Sequence, residues 1–252
     1  MTFPSHIVDQ VSHRPWPLPG GPWVMTQSWH DLLFAHWPVG AAELRAKIPP
    51  GLELDLFAGQ AWLGIIPFHM TNVAPRGVPS VPFLSAFPEI NVRTYVRVKD
   101  KPGVFFFSLD ADNAMAVTVA RTLLHLPYFP ASIDVREEEG EVHYASRRTD
   151  DPPAAFVARY RPTGPAYLAP DASLEYFLTE RYCLYTLDGS FHLNRLDIHH
   201  LPWALQGAEA TITVNTMVDA AGIRLPAMAP LLHFAKRQDV VAWAPQGSWV
   251  AG

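Results

Sequence analysis

A glutamate, an asparagine and an arginine occupy alternate positions of FPEINVRTYVRV (87–98): Glu89, Asn91 and Arg93 alternate with the apolar Ile90, Val92 and Val96. That period places the polar groups on one face of a strand, turned either to solvent or into a lined cavity. A carboxyl buried on such a face has a raised pKa and is suited to proton transfer. The structural alternative for Glu89 is an ion pair with Arg93 or Arg121. Arg121 lies in the otherwise apolar run AMAVTVARTLLHL (114–126). A guanidinium buried there without a carboxylate would cost several kcal/mol. It is therefore either a brace, with Asp110 and Glu89 as the obvious acceptors, or the anchor of an acidic substrate; the brace is slightly preferred. His125, one turn along, reads as a core histidine.

Other chemistries lack their signatures. There is no HExxH, CxxC or two-His-one-carboxylate spacing, so no metal is expected. His199 and His200 are neighbours on a strand and project to opposite faces, while His30, His36 and His233 would have to converge in three dimensions. GxSxG, Walker and GxGxxG sequences are missing. Cys183 is the only cysteine, which rules out an intrachain disulfide, and it reads as a small buried hydrophobe. Lys47, Lys99 and Lys101 fall on a surface helix or a turn, and Lys236 suits a snorkelling surface lysine. Glu180 and Arg181 would fix a corner by pairing, and Tyr182 beside them, closing one side of the barrel, is a ligand-binding candidate. Trp203 in HHLPW and Asn215 in VNTM are further lining candidates, and His30 is kept as a ligand-binding candidate.

The elements that must position these groups are mostly strands. KDKPG (99–103) makes a turn after the Glu89 strand, VFFFSLDA is its partner, and Asp110, Asp112 or Asn113 can cap the following helix. AWLGIIPFHM reads as a strand, GAAELRAKI as a short helix stopped by PPG, and residues 76–88 as a long loop and candidate lid. SIDVREEEGEVHYASRR reads as a hairpin, and AAFVARYRP as a strand followed by a loop, TGPAYLAPDA. SLEYFLTERY is helical, with Asp171 or Ser173 as its cap. Asp188-Gly189 marks a hairpin. ATITVNTM is a strand, LLHFAKR a short helical piece, DVVAW a last strand, and WHD a strand edge. Frequent turns and few helices point to a predominantly β (α+β) domain over 23–252, preceded by an extended proline-rich arm over 1–22.

The order Glu89, Asp110, Arg121, Pro127 resembles the core of the acetoacetate decarboxylase superfamily. There, a strand glutamate and a strand-end aspartate precede a helix carrying an arginine, then a proline and two lysines. WHDLLFAHWPV (29–39), LSAFPEINVRTYV (84–96), LTERYCLY (178–185), HHLPW (199–203) and LLHFAKR (231–237) resemble the YqjF-like family of conserved proteins of unknown function in the same superfamily. The likeness spans roughly residues 22 to 245. It implies a closed, cone-like antiparallel β-barrel with a few peripheral helices and a pocket at its mouth. It also places Tyr128 and Phe129 where the decarboxylase has its lysine pair, one of which forms a Schiff base. Neither ring can form an imine. Tyr128 becomes a candidate hydrogen-bond donor and Phe129 a candidate contact for a ligand.

Two classes of function follow. The adopted one is non-catalytic binding of a small carboxylate- or carbonyl-bearing ligand, with no cofactor. The other is a lyase, hydratase or isomerase without Schiff-base chemistry, in which Glu89 is the acid/base, Arg121 the anchor and Tyr128 a donor. With 252 residues, about half of them apolar (49%), and a formal charge of −5, the chain offers no concentrated basic surface for nucleic acid. No signal peptide or membrane-length apolar run is found, so a cytoplasmic location without membrane partners is expected. The arm and the exposed aromatics are compatible with a homodimer.

Overall fold

The computed structural model describes residues 3–81, 85–190 and 192–250. Among these residues the strands are β1 (Met25–Val39), β2 (Glu53–Leu54), β3 (Ala61–Pro75), β4 (Phe87–Val98), β5 (Lys101–Ala111), β6 (Tyr128–Glu138) and β7 (Glu141–Arg148). They continue as β8 (Ala155–Leu168), β9 (Cys183–Leu187), β10 (His192–His199), β11 (Ala204–Asn215), β12 (Leu231–Ala242) and β13 (Gln246–Val250). The α-helices are α1 (Ala41–Arg45), α2 (Ala114–Leu124) and α3 (Leu174–Thr179). As expected, the fold is predominantly antiparallel β with few helices. None of the helices is long and apolar enough to cross a membrane.

The strand pairings close on themselves twice. One circuit runs β5-β6-β7-β8-β11-β12-β1-β3-β4 and returns to β5. The other runs β5-β9-β10-β12-β1-β3-β4 and also returns to β5, so β12, β1, β3, β4 and β5 belong to both. Only β5–β6 and β5–β9 pair in parallel. Gly103 permits the second junction: a Cβ there would lie 2.8 Å from the Cys183 carbonyl oxygen, so any larger residue would push β5 and β9 apart.

The two circuits are filled differently. Leu33, Ile65, Ile90 and Val92 from the shared strands pack with Ile133, Tyr144, Phe156, Tyr160 and Phe234 into the main apolar core, which occupies the longer circuit. The alternate residues Phe34, Ile66 and Phe68 face the shorter circuit, where they meet Trp203 and Leu205. Two irregularities keep the shared strands facing this way along their full length. Asp31 (φ 51°) and Asn72 (φ 55°) adopt the left-handed region, beside register shifts in the β1–β3 ladder. The extra residue changes the parity of the strand, so Met25, Gln27 and Trp29 face inward before Asp31, and Leu32 and Phe34 after it. Asp and Asn tolerate this conformation better than other residues with a Cβ.

Several elements differ from expectation. LLHFAKR belongs to the single strand β12, because it pairs with β1 on one side and with β11 on the other. Tertiary pairing overrides the local helical pattern. β8 continues through the expected loop to Leu168, since Gly164 (φ 70°) lets the strand resume pairing with β11 after an irregularity. WHD lies inside the long strand β1, paired on both sides, and is not an edge. The arm contains a 3₁₀ turn, Ser5–Asp9, and packs on the body: Ile7 meets Val241 and Trp243, and Arg14 donates to the Ile198 carbonyl at 2.8 Å. The candidate lid at 76–88 includes residues 82–84, which lie outside the described residues.

Candidate functional site

A cavity of about 200 Å³ opens within the shorter circuit, lined mainly by apolar side chains of β1, β3, β4, β5 and α2. Its polar wall is β4. Glu89, Asn91 and Arg93 all line it, while Ile90 and Val92 point into the main core on the other side. β4 is held on both edges, Phe68 being opposite Glu89 on β3 and Ala111 opposite it on β5, so the three polar groups project from a rigid platform.

Glu89 is 2% exposed and accepts a hydrogen bond from the Tyr128 hydroxyl at 2.7 Å. Burial pushes its carboxyl up to about 8; the Tyr128 hydrogen bond opposes the rise, the nearby Asp110 charge adds to it, and a hydrogen bond from Asn91 opposes it again. Below that pH Glu89 is a neutral acid. Burial, then the Glu89 charge, raises the Tyr128 phenol well above its ordinary range, so it serves as a donor. Tyr128 opens β6 and reaches Glu89 because its backbone pairs in parallel with Leu109, two strands from Glu89. Asp110 itself forms a buried ion pair with Arg148, at 2.6 and 2.8 Å.

Arg93 gives the cavity its positive charge. It is 9% exposed, and its Nη2 donates to the Leu178 carbonyl at 3.2 Å and to the Tyr95 hydroxyl at 3.5 Å. Its Nε has no hydrogen-bond partner, and among the described residues no carboxylate forms a salt bridge with it. Arg181, also on the cavity wall, is instead neutralised by Asp55 at 2.6 Å. Behind Arg93, the Tyr95 hydroxyl donates to the Leu178 carbonyl at 2.8 Å and meets His36 Nε2 at 2.6 Å. Asn91 Oδ1 and Trp203 Nε1, both on the cavity wall, are likewise unpartnered.

The remaining sequence candidates divide. Trp203 lines the cavity, 2% exposed, and packs edge-on against Phe34. Arg121 does not line it: its side chain is 42% exposed, donates through Nε to the Tyr128 carbonyl and pairs with Asp150 at 3.5 Å. It is a brace on the strand carrying Tyr128, with neither Asp110 nor Glu89 as acceptor. Phe129, next to Tyr128, turns the other way and lies under the Arg148 guanidinium at 3.8 Å. His30 stacks on His69 at 4.8 Å and bonds Thr71, outside the cavity. Tyr182 is buried behind the wall, stacked on His200 and donating to Glu180. Glu180 therefore pairs with Tyr182 and the Trp203 amide rather than with Arg181. Asn215 ends β11 and accepts from the Met217 amide, away from the site. His125 caps α2 from the surface. Lys236 is 63% exposed and pairs with Asp31 and Glu137. Among the described residues no lysine lines the cavity and no group of metal-ligating side chains gathers. The alternation puts Arg93 on the same face as Glu89, yet the sequence offers it only as a partner for that carboxyl.

The chain matches the family of uncharacterised conserved proteins DUF2071 over residues 26–239. It is 52% identical to the uncharacterised protein YqjF of Bacillus subtilis (strain 168) over 246 residues, 96% of this chain and 100% of the relative. It therefore belongs to this family. Similar solved structures include the enduracididine biosynthesis enzyme MppR, complexed with the condensation product of pyruvate and imidazole 4-carboxaldehyde. The TM-score is 0.63 at 13% identity, covering 90% of this chain and 89% of that one. The acetoacetate decarboxylase of Legionella pneumophila is similar with a TM-score of 0.62 at 14% identity, covering 96% of each chain. These likenesses show an acetoacetate decarboxylase-like fold.

Proposed function

We propose that this member of the DUF2071 family binds a small monocarboxylic acid in the cavity without covalent capture, with Arg93 as the anchor. The observation that carries the reading is a buried guanidinium with an unused Nε and no carboxylate of its own. An unpaired buried charge is costly, and an incoming carboxylate repays it through charge-assisted hydrogen bonds. With Arg181 offset by Asp55 and Glu89 protonated below about pH 8, the wall carries one net positive charge and suits a monoanion. Apolar walls receive the rest of the ligand. A solved neighbour described as complexed with pyruvate supports a small acid as the class.

A thermal-shift series with hexanoate, phenylacetate and 2-oxohexanoate tests it. An acid at a hundred times its Kd should add about 2.7 kcal/mol of stability. Arg93→Met should remove the shift; shifts retained in that variant, or none in the unaltered chain, would refute the anchor. Borohydride treatment with 2-oxohexanoate should leave the mass unchanged, because among the described residues no amine lines the cavity.

The Glu89–Tyr128 pair favours a second reading, proton transfer to or from the bound acid, since a carboxyl near 8 is poised to exchange a proton at neutral pH. Deuterium entering the C3 position of 2-oxohexanoate, and failing to do so with Glu89→Gln, would establish it.

A further inference from the structure

We infer that the acid held at Arg93 also carries a hydroxyl remote from its carboxylate, received jointly by Asn91 and Glu89. This rests on the reading of Arg93 as the anchor, but it is carried by other atoms. Asn91 is 5% exposed and lines the cavity with Glu89, two residues before it on the same face of β4, and its Oδ1 has no hydrogen-bond partner. An acceptor buried without a donor is costly, and it belongs to a residue of the cavity wall. Glu89 takes the Tyr128 hydrogen bond on Oε2, leaving the O–H of its neutral form free to donate. The group that gives a proton to Asn91 and accepts one from Glu89 is a hydroxyl. A ketone meets only the second need, and a methyl neither. Trp203 Nε1, 2% exposed and also unpartnered, adds a further donor for such a ligand.

Spacing and volume narrow the class. Asn91 and Arg93 are two residues apart on a strand, about 6.6 Å between Cα atoms. The Arg93 Nη2 reaches towards Tyr95 and Leu178, on the side away from Asn91. With the Arg93 side chain extended that way, the carboxylate and the hydroxyl stand about 6 Å apart, towards opposite ends of the molecule rather than on neighbouring carbons. A cavity of about 150 Å³ holds benzene. The present one, about 200 Å³ and walled by Phe34, Phe68 and Trp203, suits a body of benzene size with a few further atoms.

Calorimetric titration of the full chain with matched probes decides the matter. 4-Hydroxyphenylacetate should bind about tenfold more tightly than phenylacetate, and 6-hydroxyhexanoate more tightly than 2-hydroxyhexanoate, because the probe lacking the remote hydroxyl leaves Asn91 unsatisfied. Asn91→Leu should erase both preferences. Preferences below about threefold in the unaltered chain would overturn the inference, whatever the variant does. If phenylacetate binds as well as its hydroxylated partner and Arg93→Met abolishes both, the hydroxyl is wrong and the anchor stands. If no acid binds, or Arg93→Met changes nothing, both fall.

Discussion

The strands β1, β3 and β4 form one wall with two unlike sides. On one side, Leu33, Ile65, Ile90 and Val92 interlock with residues from β6, β7 and β8 in an apolar core. On the other, Leu32, Ile66, Glu89, Asn91 and Arg93 border an open cavity. Adjacent residues of one strand thus do opposite work: odd positions of β1 beyond Asp31 hold the fold, and even ones leave room. Rigidity on the packed side is what allows polar groups on the hollow side to stay unpartnered without the strand rearranging to satisfy them.

Neighbouring leucines break or sharpen this contrast most strongly. Leu33→Ala, in the filled core, should cost about 3–5 kcal/mol in urea unfolding, while Leu32→Ala, already beside empty space, should cost about 2 kcal/mol or less. Equal losses would mean that the two sides are packed alike. The next effect concerns titration. The folded-state pKa of Glu89 is about 8, against an ordinary value of 4.5, so between these values the folded chain holds a proton that the unfolded chain has released. Stability contributed by this group is therefore full below about 4.5, falls as pH rises, and is lost above about 8. Glu89→Gln cannot ionise and should exceed the parent by up to a few kcal/mol at pH 9, with little difference at pH 4. Parallel pH profiles would show that Glu89 is not buried as a neutral acid. Arg121→Ala should have the smallest effect, about 1 kcal/mol or less, since its ion pair is exposed. Carboxylate binding should persist in that variant, whereas its loss would return the anchor to Arg121.

How far the sequence revealed this arrangement depended on the range of the contacts. β4 was legible to the residue because strand alternation is local, and the caps of α2 and α3, Asn113 and Ser173, were among the candidates named. The missing lysines were legible by resemblance, and Tyr128 does face the cavity. The partners were not legible. Asp110 goes to Arg148 and Asp55 to Arg181, choices set by strands far apart in the chain, so Arg93 could not be seen to lack a carboxylate. LLHFAKR and the stretch after Thr163 depart from expectation for the same reason, since partner strands impose extended backbone on locally ambiguous residues.

The kink at Asp31 has one more consequence. Were Asp31 to adopt ordinary extended backbone, alternation would run unbroken back from Leu32, so Met25, Gln27 and Trp29 would have to exchange places with Thr26, Ser28 and His30, presenting hydroxyls and an imidazole to an apolar wall. The backbone conformation of one residue therefore decides whether a ribbon can serve as partition for a solid chamber and a vacant one at once.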